Sequence, residues 1–448
     1  MRHILHRAVL LLFVMALVVS DHDAAAQPTA VPRGQKWVAT WAAAAHGPYP
    51  SGNASAQPVL DFAFESPERG AIDQTFRLIA KPDLWGGRIR LRFSNAFGTQ
   101  PVTFDEVFVG LQSSGGNVVA GTNVRVAFER GRRTLTLPPG ASAFSDPVTL
   151  AVGTRGERRL LAGRKLAVSF HINGASGPMT WHAKALTTSY LTAPRAGSHG
   201  ADESDDAFPY TTTSWYFLDA IDVEAPARTA VVVCFGDSIT DGTASTLNGD
   251  DRWPDVLSRR LHAAHGDRVS VVNAGIGGNQ VVGPPVSSTA SPFAGGPSAL
   301  ARLDRDVLSL SGLTSVIWLE GINDLSAGAS AEAVIAGFKE GVRRLRAHGP
   351  VRVIGATITS SVGATTASGT PENDAKRKII NEFIRTGGLF DAVADFDAAT
   401  RDPQTGGLKA AYQPNSTTGG AGDRLHPNRA GYHAMGSAID LSMLVPGR

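Results

Sequence analysis

Between Trp37 and about Glu224, the chain alternates hydrophobic and polar residues in short runs separated by Gly, Pro, Asn and Asp. The run GRIRLRFSNAFG (87–98) sets Ile89, Leu91 and Phe93 against three arginines, the two-residue period of a strand with one buried face. The same pattern recurs in PVTFDEVFVGL, RRTLTLPPG, RKLAVSFHING and SWYFLDAIDVEA. Many short strands separated by turn residues predict an all-β sandwich or jelly-roll domain over residues 36–225.

The pattern changes near EAPARTA (224–230), which we interpret as a linker. Beyond it, apolar runs rich in Val and Ile alternate with helical patterns, beginning with TAVVVCF followed by WPDVLSRRLHAAHG and ending with LFDAVADF followed by NRAGYHAMGSAIDLSML. Strand–helix repeats of this kind predict a five-stranded parallel sheet with helices on both faces, an α/β domain over residues 229–448.

Two stretches, 281–297 and 401–422, stay outside this repeat. Long irregular loops in a compact domain are often functional, and a disordered insertion is the alternative for the first of them.

Composition agrees with a two-domain globular protein. The 448 residues are 42% hydrophobic and 18% charged, and a single core rarely organises a chain of this length. The formal net charge is +2, without a basic run suited to nucleic acid, so we expect no nucleic-acid partner. The composition leaves the oligomeric state open.

The N-terminus predicts export. Residues 1–26 combine a basic start, an apolar stretch from Ala8 to Val19 and a small-residue end, as in a secretory signal peptide. The apolar stretch is shorter than the roughly 20 residues of a membrane span, so we expect no integral membrane segment after cleavage and a periplasmic or extracellular location. The single cysteine, Cys234, excludes an internal disulfide, and its apolar neighbours predict a buried thiol.

Ser238, in VVVCFGDSITDG (231–242), stands just past the end of the first predicted strand of the second domain. Ligands of open parallel sheets bind beyond the carboxyl ends of the strands, so Ser238 is a candidate nucleophile. A serine hydroxyl needs a base within hydrogen-bond reach and a group that orients that base.

His426 is the histidine best placed to be that base. It lies in GDRLHPN (422–428), beyond the last predicted strand and ahead of the last helix, whereas His46, His171, His182 and His199 belong to the β-rich part. Asp423, three residues earlier, is close enough to accept the Nδ1 proton of His426. The alternative is a helix-capping loop in which both residues only satisfy backbone groups.

Two further strand ends offer donors for an oxyanion hole. NAGIGGNQ (273–280) contains Gly275, Gly277 and Gly278, which allow a backbone N–H to approach a ligand closely, and EGINDL (320–325) contains Asn323 with its side-chain amide. Acyl transfer requires all of these parts together.

The four segments GDSIT, NAGIGGN, EGIND and DRLHPN resemble the sequence blocks of the GDSL, or SGNH, hydrolases. The resemblance implies a flavodoxin-like α/β/α sandwich from about Thr229 onward. It also implies that Ser238, Asp423 and His426 form a catalytic triad, and that the Ser238 N–H, Gly278 and Asn323 form the oxyanion hole. Gly275 and Gly277 compete with Gly278 for this role.

The implied activity is hydrolysis of carboxylic esters through an acyl-enzyme, without a metal or organic cofactor. The β-rich domain with WVATWAAA (37–44) looks like a group of secreted bacterial GDSL esterases, which favours short-chain or acetyl esters of carbohydrates, or aryl esters, as small-molecule or polysaccharide substrates. The alternatives are a lipase acting on longer acyl chains, a secreted carbohydrate-binding protein without activity, and a metal-dependent phosphoesterase using the aspartates Asp241, Asp250, Asp251 and Asp255. Trp85, Trp181, Trp215 and Tyr216 could stack on sugars or fill the core.

Overall fold

The computed structural model of the protein describes residues 31–150, 152, 158–414 and 422–444. The predicted signal peptide lies outside the described residues. The first half of the described chain is built from strands, namely β1 (Gln35–Ala42), β2 (Gly47–Pro48), β3 (Ile72–Ala80), β4 (Arg88–Ser94), β5 (Val102–Leu111), β6 (Val124–Arg125), β7 (Leu135–Leu137), β8 (Ser142–Phe144), β9 (Val148–Thr149), β10 (Leu166–Ala175), β11 (Thr180–His182), β12 (Ser189–Leu191), β13 (Tyr210–Thr212), β14 (Trp215–Tyr216) and β15 (Leu218–Pro226).

These strands form three antiparallel sheets, with the orders β1-β15-β4-β8, β13-β12-β3-β10-β5-β6 and β14-β11-β2. Strand β9 also pairs with β4, and β7 with β5. The first two sheets share an aromatic core, in which the ring of Phe93 on β4 lies 4.9 Å from that of Phe104 on β5 and 5.3 Å from that of Phe170 on β10. Side chains from two facing sheets thus meet in one layer. The prediction of an all-β first part is confirmed.

The second half alternates strands and helices, namely β16 (Ala230–Gly236), α1 (Ser238–Asp241), α2 (Trp253–His265), β17 (Val269–Gly275), α3 (Ala299–Leu303), β18 (Leu313–Leu319), α4 (Ile322–Ser326), α5 (Ala331–His348), β19 (Arg352–Ala356), α6 (Pro371–Thr386), β20 (Ala392–Ala394), α7 (Phe396–Thr400) and α8 (Arg429–Ala438). Helix α3 continues as a π-helical segment, Asp304–Leu308, and short 3-10 helices span Arg158–Leu161, Gly266–Arg268, Ala367–Gly369, Ala410–Tyr412 and Leu441–Met443.

The parallel sheet has the order β17-β16-β18-β19-β20, the flavodoxin-like arrangement. The predicted α/β fold with a five-stranded parallel sheet is confirmed. Strand β16 is buried along its whole length, because Val232 and Cys234 face the core formed with α2 and α8 while Val231 and Val233 face the core that contains Phe338 of α5. Cys234 is buried as predicted, and burial raises its pKa.

The two halves pack against each other through the arginines of β4. Arg90 and Arg92 bond the carboxylates of Asp222 and Asp219 on β15, at 2.8 and 2.6 Å, and Arg90 also donates to the Ser311 hydroxyl ahead of β18 at 3.0 Å. The polar face of β4, predicted to lie opposite a buried face, therefore meets the second half of the chain, and Arg92 is itself buried.

The boundary between the halves is short. Strand β15 continues to Pro226 and β16 begins at Ala230, so only three residues of EAPARTA connect them outside strands. Across the described ranges, no helix combines the length and the apolar character needed to cross a membrane.

Candidate active site

Ser238 begins helix α1 directly after the central strand β16. Asp237 caps this helix by accepting the Ile239 N–H at 2.9 Å. A glycine is required at position 236, because a Cβ there would lie 2.2 Å from the Leu319 carbonyl oxygen. The tight turn holds Ser238 at the carboxyl edge of the sheet with 6% of its surface exposed.

His426 and Asp423 meet Ser238 from the loop ahead of α8. The distance between Ser238 Oγ and His426 Nε2 is 2.7 Å, and His426 Nδ1 bonds the Oδ2 atom of Asp423. The other oxygen of Asp423 accepts the backbone N–H groups of Leu425 and His426 at 3.0 and 2.9 Å. Asn428 caps α8 and so fixes the loop from its other end.

Asp423 therefore satisfies backbone groups, as the capping alternative required, and also holds the imidazole. Burial disfavours its charge, but the hydrogen bond from His426 and the backbone N–H bonds hold the pKa of Asp423 well below its usual range. An ionised Asp423 accepts the Nδ1 proton, which leaves Nε2 of neutral His426 free to accept the Ser238 hydroxyl proton.

The three glycines in the turn after β17 differ in whether their backbone N–H groups are already hydrogen-bonded. The Gly275 N–H donates to Asn273 Oδ1 at 2.8 Å and the Gly277 N–H donates to Asp241 Oδ2 at 2.9 Å. Within the described residues the Gly278 N–H has no acceptor. Of the three, only Gly278 thus keeps its backbone donor available for a ligand.

Asn323 lies on α4, after β18. One N–H of its side-chain amide donates to the Asn279 carbonyl at 2.9 Å, which orients the amide and leaves its second N–H available. The next residue, Asp324, accepts the backbone N–H groups of Val281 and Val282 at 2.8 and 2.9 Å. Asp324 thereby ties the loop 281–297 to the site.

Buried carboxylates lie close to the ends of β16 and β18. Burial raises the pKa of Asp237 to about 7, that of Asp324 to about 6 and that of Glu320 to about 8. Glu320 accepts the Trp318 Nε1–H at 2.7 Å. These groups act on backbone and core, and none of them bonds Ser238 or His426 among the described contacts.

Three residues of the β-rich half also reach this region, and sequence reasoning missed them. His182 Nε2 lies 3.2 Å from Asp241 Oδ1, the Lys184 ammonium donates to the Thr243 hydroxyl, and Asn53 donates to the Gly277 carbonyl at 2.7 Å. No motif marks them, since their partners are 59 to 224 residues away in the chain.

Asp241 faces two histidines of the β-rich half, His182 at 3.2 Å and His46 at 4.0 Å. Burial disfavours its charge, but His182, Lys184 and His46 outweigh that effect and lower the pKa of Asp241 to about 2. The ionised carboxylate of Asp241 is thus buried between the two halves, at the end of the short helix α1 that begins with Ser238.

The other aspartates near the nucleophile already have protein partners. Asp250 and Asp255 lie 3.7 and 2.9 Å from Lys81 Nζ, and Asp251 accepts the Thr246 N–H at 2.9 Å. In the part of the chain that the structure describes, no group of three or more His, Cys, Asp or Glu side chains is arranged to hold a metal ion.

The four aromatic residues considered for sugar stacking belong to the core. Their exposed fractions are at most 7%, for Trp85, Trp181, Trp215 and Tyr216. They are therefore core residues rather than a stacking surface.

The second half of the chain is similar to known proteins. Residues 234–434 match the model of the GDSL-like Lipase/Acylhydrolase family, and no curated protein matches the chain. Similar solved structures include a lipolytic protein of the G-D-S-L family from Desulfitobacterium hafniense DCB-2, with 20% identity, 46% of this chain and 96% of that chain covered, and a TM-score of 0.33. Others are a carbohydrate acetylesterase family member from Sinorhizobium meliloti (16% identity, 47% and 95% covered, TM-score 0.37) and the M. smegmatis aryl esterase (15% identity, 47% and 96% covered, TM-score 0.36).

Proposed function

We propose, from the premise that residues 234–434 belong to the GDSL-like lipase/acylhydrolase family, that Ser238, His426 and Asp423 are the catalytic triad of this serine ester hydrolase. The observation that carries the assignment is the continuous chain of hydrogen bonds from Ser238 Oγ through His426 to Asp423. Nucleophile, base and orienting group are within bonding reach without rearrangement.

In the first step, His426 Nε2 takes the Ser238 proton while Oγ bonds to the ester carbonyl carbon. The carbonyl oxygen becomes negative and lies against the Ser238 N–H, the Gly278 N–H and the free N–H of Asn323. Collapse breaks the bond to the alcohol, which leaves with the proton from His426. Water then gives a proton to His426 Nε2 as it attacks the acyl carbon. The bond from that carbon to Ser238 Oγ breaks, Oγ takes the proton from His426, and the acid departs.

For the substrate, we propose short-chain esters, with acetyl esters of carbohydrates ahead of aryl esters. The small exposed fraction of Ser238 favours a small acyl group, since a long chain needs an open channel beside the nucleophile. A groove of about 750 Å³ between the halves is lined by Tyr49, Ser51, Glu68, Thr99 and Thr289, together with several prolines. Gly52 and Ala294 also line this groove, next to the Asn53 side chain that donates to the Gly277 and Ala294 carbonyls. Its mixture of apolar prolines with a few hydroxyl and carboxylate groups is compatible with a sugar or an aryl alcohol.

We further propose that the protein is exported by the signal peptide of residues 1–26, which agrees with a polysaccharide substrate outside the cytoplasm. The single buried cysteine is compatible with an oxidising compartment.

The test is hydrolysis of p-nitrophenyl esters with acyl chains of two to sixteen carbons, by wild type, Ser238→Ala and Ser437→Ala. Ser437 is a matched control, because its hydroxyl lies 3.5 Å from His433 on an exposed face of α8. We expect hydrolysis of the short esters, lost in Ser238→Ala and kept in Ser437→Ala. Activity on long esters alone would support a lipase, and equal activity of wild type and Ser238→Ala would refute the mechanism.

The alcohol preference needs a second measurement, release of acetate from acetylated xylan compared with phenyl acetate. Faster release from xylan, again lost in Ser238→Ala, is the expected result. Hydrolysis of phenyl acetate without release from xylan would move the substrate class to aryl esters.

A further inference from the structure

The donor assigned to Gly278 belongs to a peptide unit that the β-rich half holds in place. Asn53 Nδ2 donates to the Gly277 carbonyl at 2.7 Å and to the Ala294 carbonyl at 3.3 Å. Both side-chain N–H groups of Asn53 are thus used on the turn that follows β17 and on the loop 281–297. This contact crosses between the two halves of the chain.

The orientation of the Gly277 carbonyl determines that of the Gly278 N–H. The two groups belong to one planar trans peptide unit, in which C=O and N–H point in opposite directions. A hydrogen bond that fixes the carbonyl on the Asn53 side therefore directs the N–H away from Asn53. Gly278 has φ of +82°, and a Cβ there would lie 2.5 Å from Asn53 Nδ2. The hydrogen bond from Asn53 to the Gly277 carbonyl therefore requires a glycine at position 278.

The preceding peptide is fixed as well. The Gly277 N–H donates to Asp241 Oδ2 at 2.9 Å, and Asp241 Oδ1 faces His182 of β11 at 3.2 Å. With its N–H held by Asp241 and its C=O held by Asn53, Gly277 has little freedom to rotate. Rotation of the Gly277 backbone would turn the Gly278 N–H away from the reacting carbonyl oxygen.

The loop that carries Asn53 is itself anchored. The Ser51 carbonyl accepts the Trp181 Nε1–H at 2.9 Å, and a Cβ at Gly52 would lie 2.6 Å from the Cβ of Ala183. This loop therefore rests closely on the segment that also carries His182. The β-rich half presents Asn53 on a packed support.

We propose that Asn53 is a positioning residue for the oxyanion hole, which acts by holding the Gly277–Gly278 peptide so that the Gly278 N–H faces the reacting carbonyl oxygen. The inference rests on the proposed roles of Ser238 and Gly278. It makes the β-rich half a part of the catalytic machinery, because a side chain from that half holds the peptide that carries one donor of the hole.

The test compares Asn53→Ala and Asn53→Asp in the full chain with Asn123→Ala and Asn123→Asp. Asn123 is a matched control, since its amide also donates to two backbone carbonyls, those of Gly200 and Ala201, both at 3.1 Å. Asn53→Asp keeps the size of the side chain but replaces its donors by a carboxylate that repels the Gly277 carbonyl. It therefore separates hydrogen bonding from packing.

The measurements are kcat and KM on p-nitrophenyl acetate, the thermal midpoint, and the inhibition constant of a small alkyl boronic acid. The boronate bonded to Ser238 places an oxygen in the oxyanion hole, and its inhibition constant does not depend on the fraction of folded protein. We expect kcat to fall about tenfold or more in both Asn53 variants, with KM nearly unchanged, given that loss of a whole donor costs about 10²–10³-fold. The inhibition constant should rise by a similar factor, and the Asn123 variants should stay within about twofold of wild type on the same scale.

Asn53 variants that keep kcat and the inhibition constant within about twofold of wild type would overturn the proposal. So would a loss of activity that follows the folded fraction while the inhibition constant stays unchanged. Ser238→Ala is measured in parallel, because activity retained in that variant would refute the proposed triad itself. If Ser238→Ala is inactive while the Asn53 variants keep wild-type kcat and inhibition constant, only the positioning role of Asn53 is refuted.

Discussion

Replacement of Asn323 by alanine removes one donor of the proposed oxyanion hole and leaves the triad untouched. The Asn323 amide is oriented by a single hydrogen bond of 2.9 Å to the Asn279 carbonyl, and its other N–H is available for the substrate oxygen. The variant therefore separates stabilisation of the transition state from activation of the nucleophile.

The expected magnitude follows from this arrangement. Two backbone donors, from Ser238 and Gly278, remain in the hole, so the loss is that of one donor, about 3–4 kcal/mol or about 10²–10³-fold in kcat. Stability should fall by only about 1 kcal/mol, because the Asn279 carbonyl loses one neutral hydrogen bond in a partly buried place.

The assay is steady-state hydrolysis of p-nitrophenyl acetate together with a denaturation curve for wild type and Asn323→Ala. A large fall in kcat with little change in KM and a small change in unfolding free energy is the predicted result. A folded variant that keeps kcat within about fivefold of wild type would refute the placement of Asn323 in the hole, since a donor to the oxyanion is worth far more than that.

Further predictions concern the base, the turn and the buried carboxylates. Asp423→Asn should lower kcat by about 10²–10⁴-fold with KM little changed, and equal kcat would contradict its orienting role. Gly278→Ala should lower kcat at least about tenfold, because the new Cβ would collide with Asn53, whereas Gly197→Ala, with a similar φ of +78° and open space around it, should affect only stability. The raised pKa of Glu320, about 8, means that its protonated form favours the folded state, so this contribution to stability is present below about pH 4 and is lost as pH rises toward 8. The unfolding free energy of Glu320→Gln should therefore rise relative to that of wild type as pH goes from 5 to 8. A difference between variant and wild type that is the same at pH 5 and pH 8 would contradict this.

Much of the fold and part of the site could be predicted from the sequence for a simple geometric reason. Strand ends of a parallel sheet share one edge, so motifs placed after β16, β17 and β18 and before α8 had to come together. This brought Ser238, Asn323 and His426 to one edge without knowledge of any contact. Asp423 followed from its spacing of three residues.

The rest depended on contacts between distant residues. The choice among the three glycines is made by Asp241 and Asn273, which bond the N–H groups of Gly277 and Gly275 and leave that of Gly278. His182 was set aside as a residue of the β-rich part, yet it faces Asp241. Such pairings arise from the packing of the two halves, and hydrophobic periodicity carries no information about them.

The most direct test of the account is to identify the acylated residue. The full chain is mixed with a p-nitrophenyl ester, quenched in acid during turnover and digested, and the acyl group is located by peptide mass spectrometry, with Ser238→Ala as the control. One acyl group on the peptide containing Ser238, absent from the variant, is the predicted result. An acyl group on another residue, or hydrolysis by Ser238→Ala at the wild-type rate, would contradict the proposed mechanism.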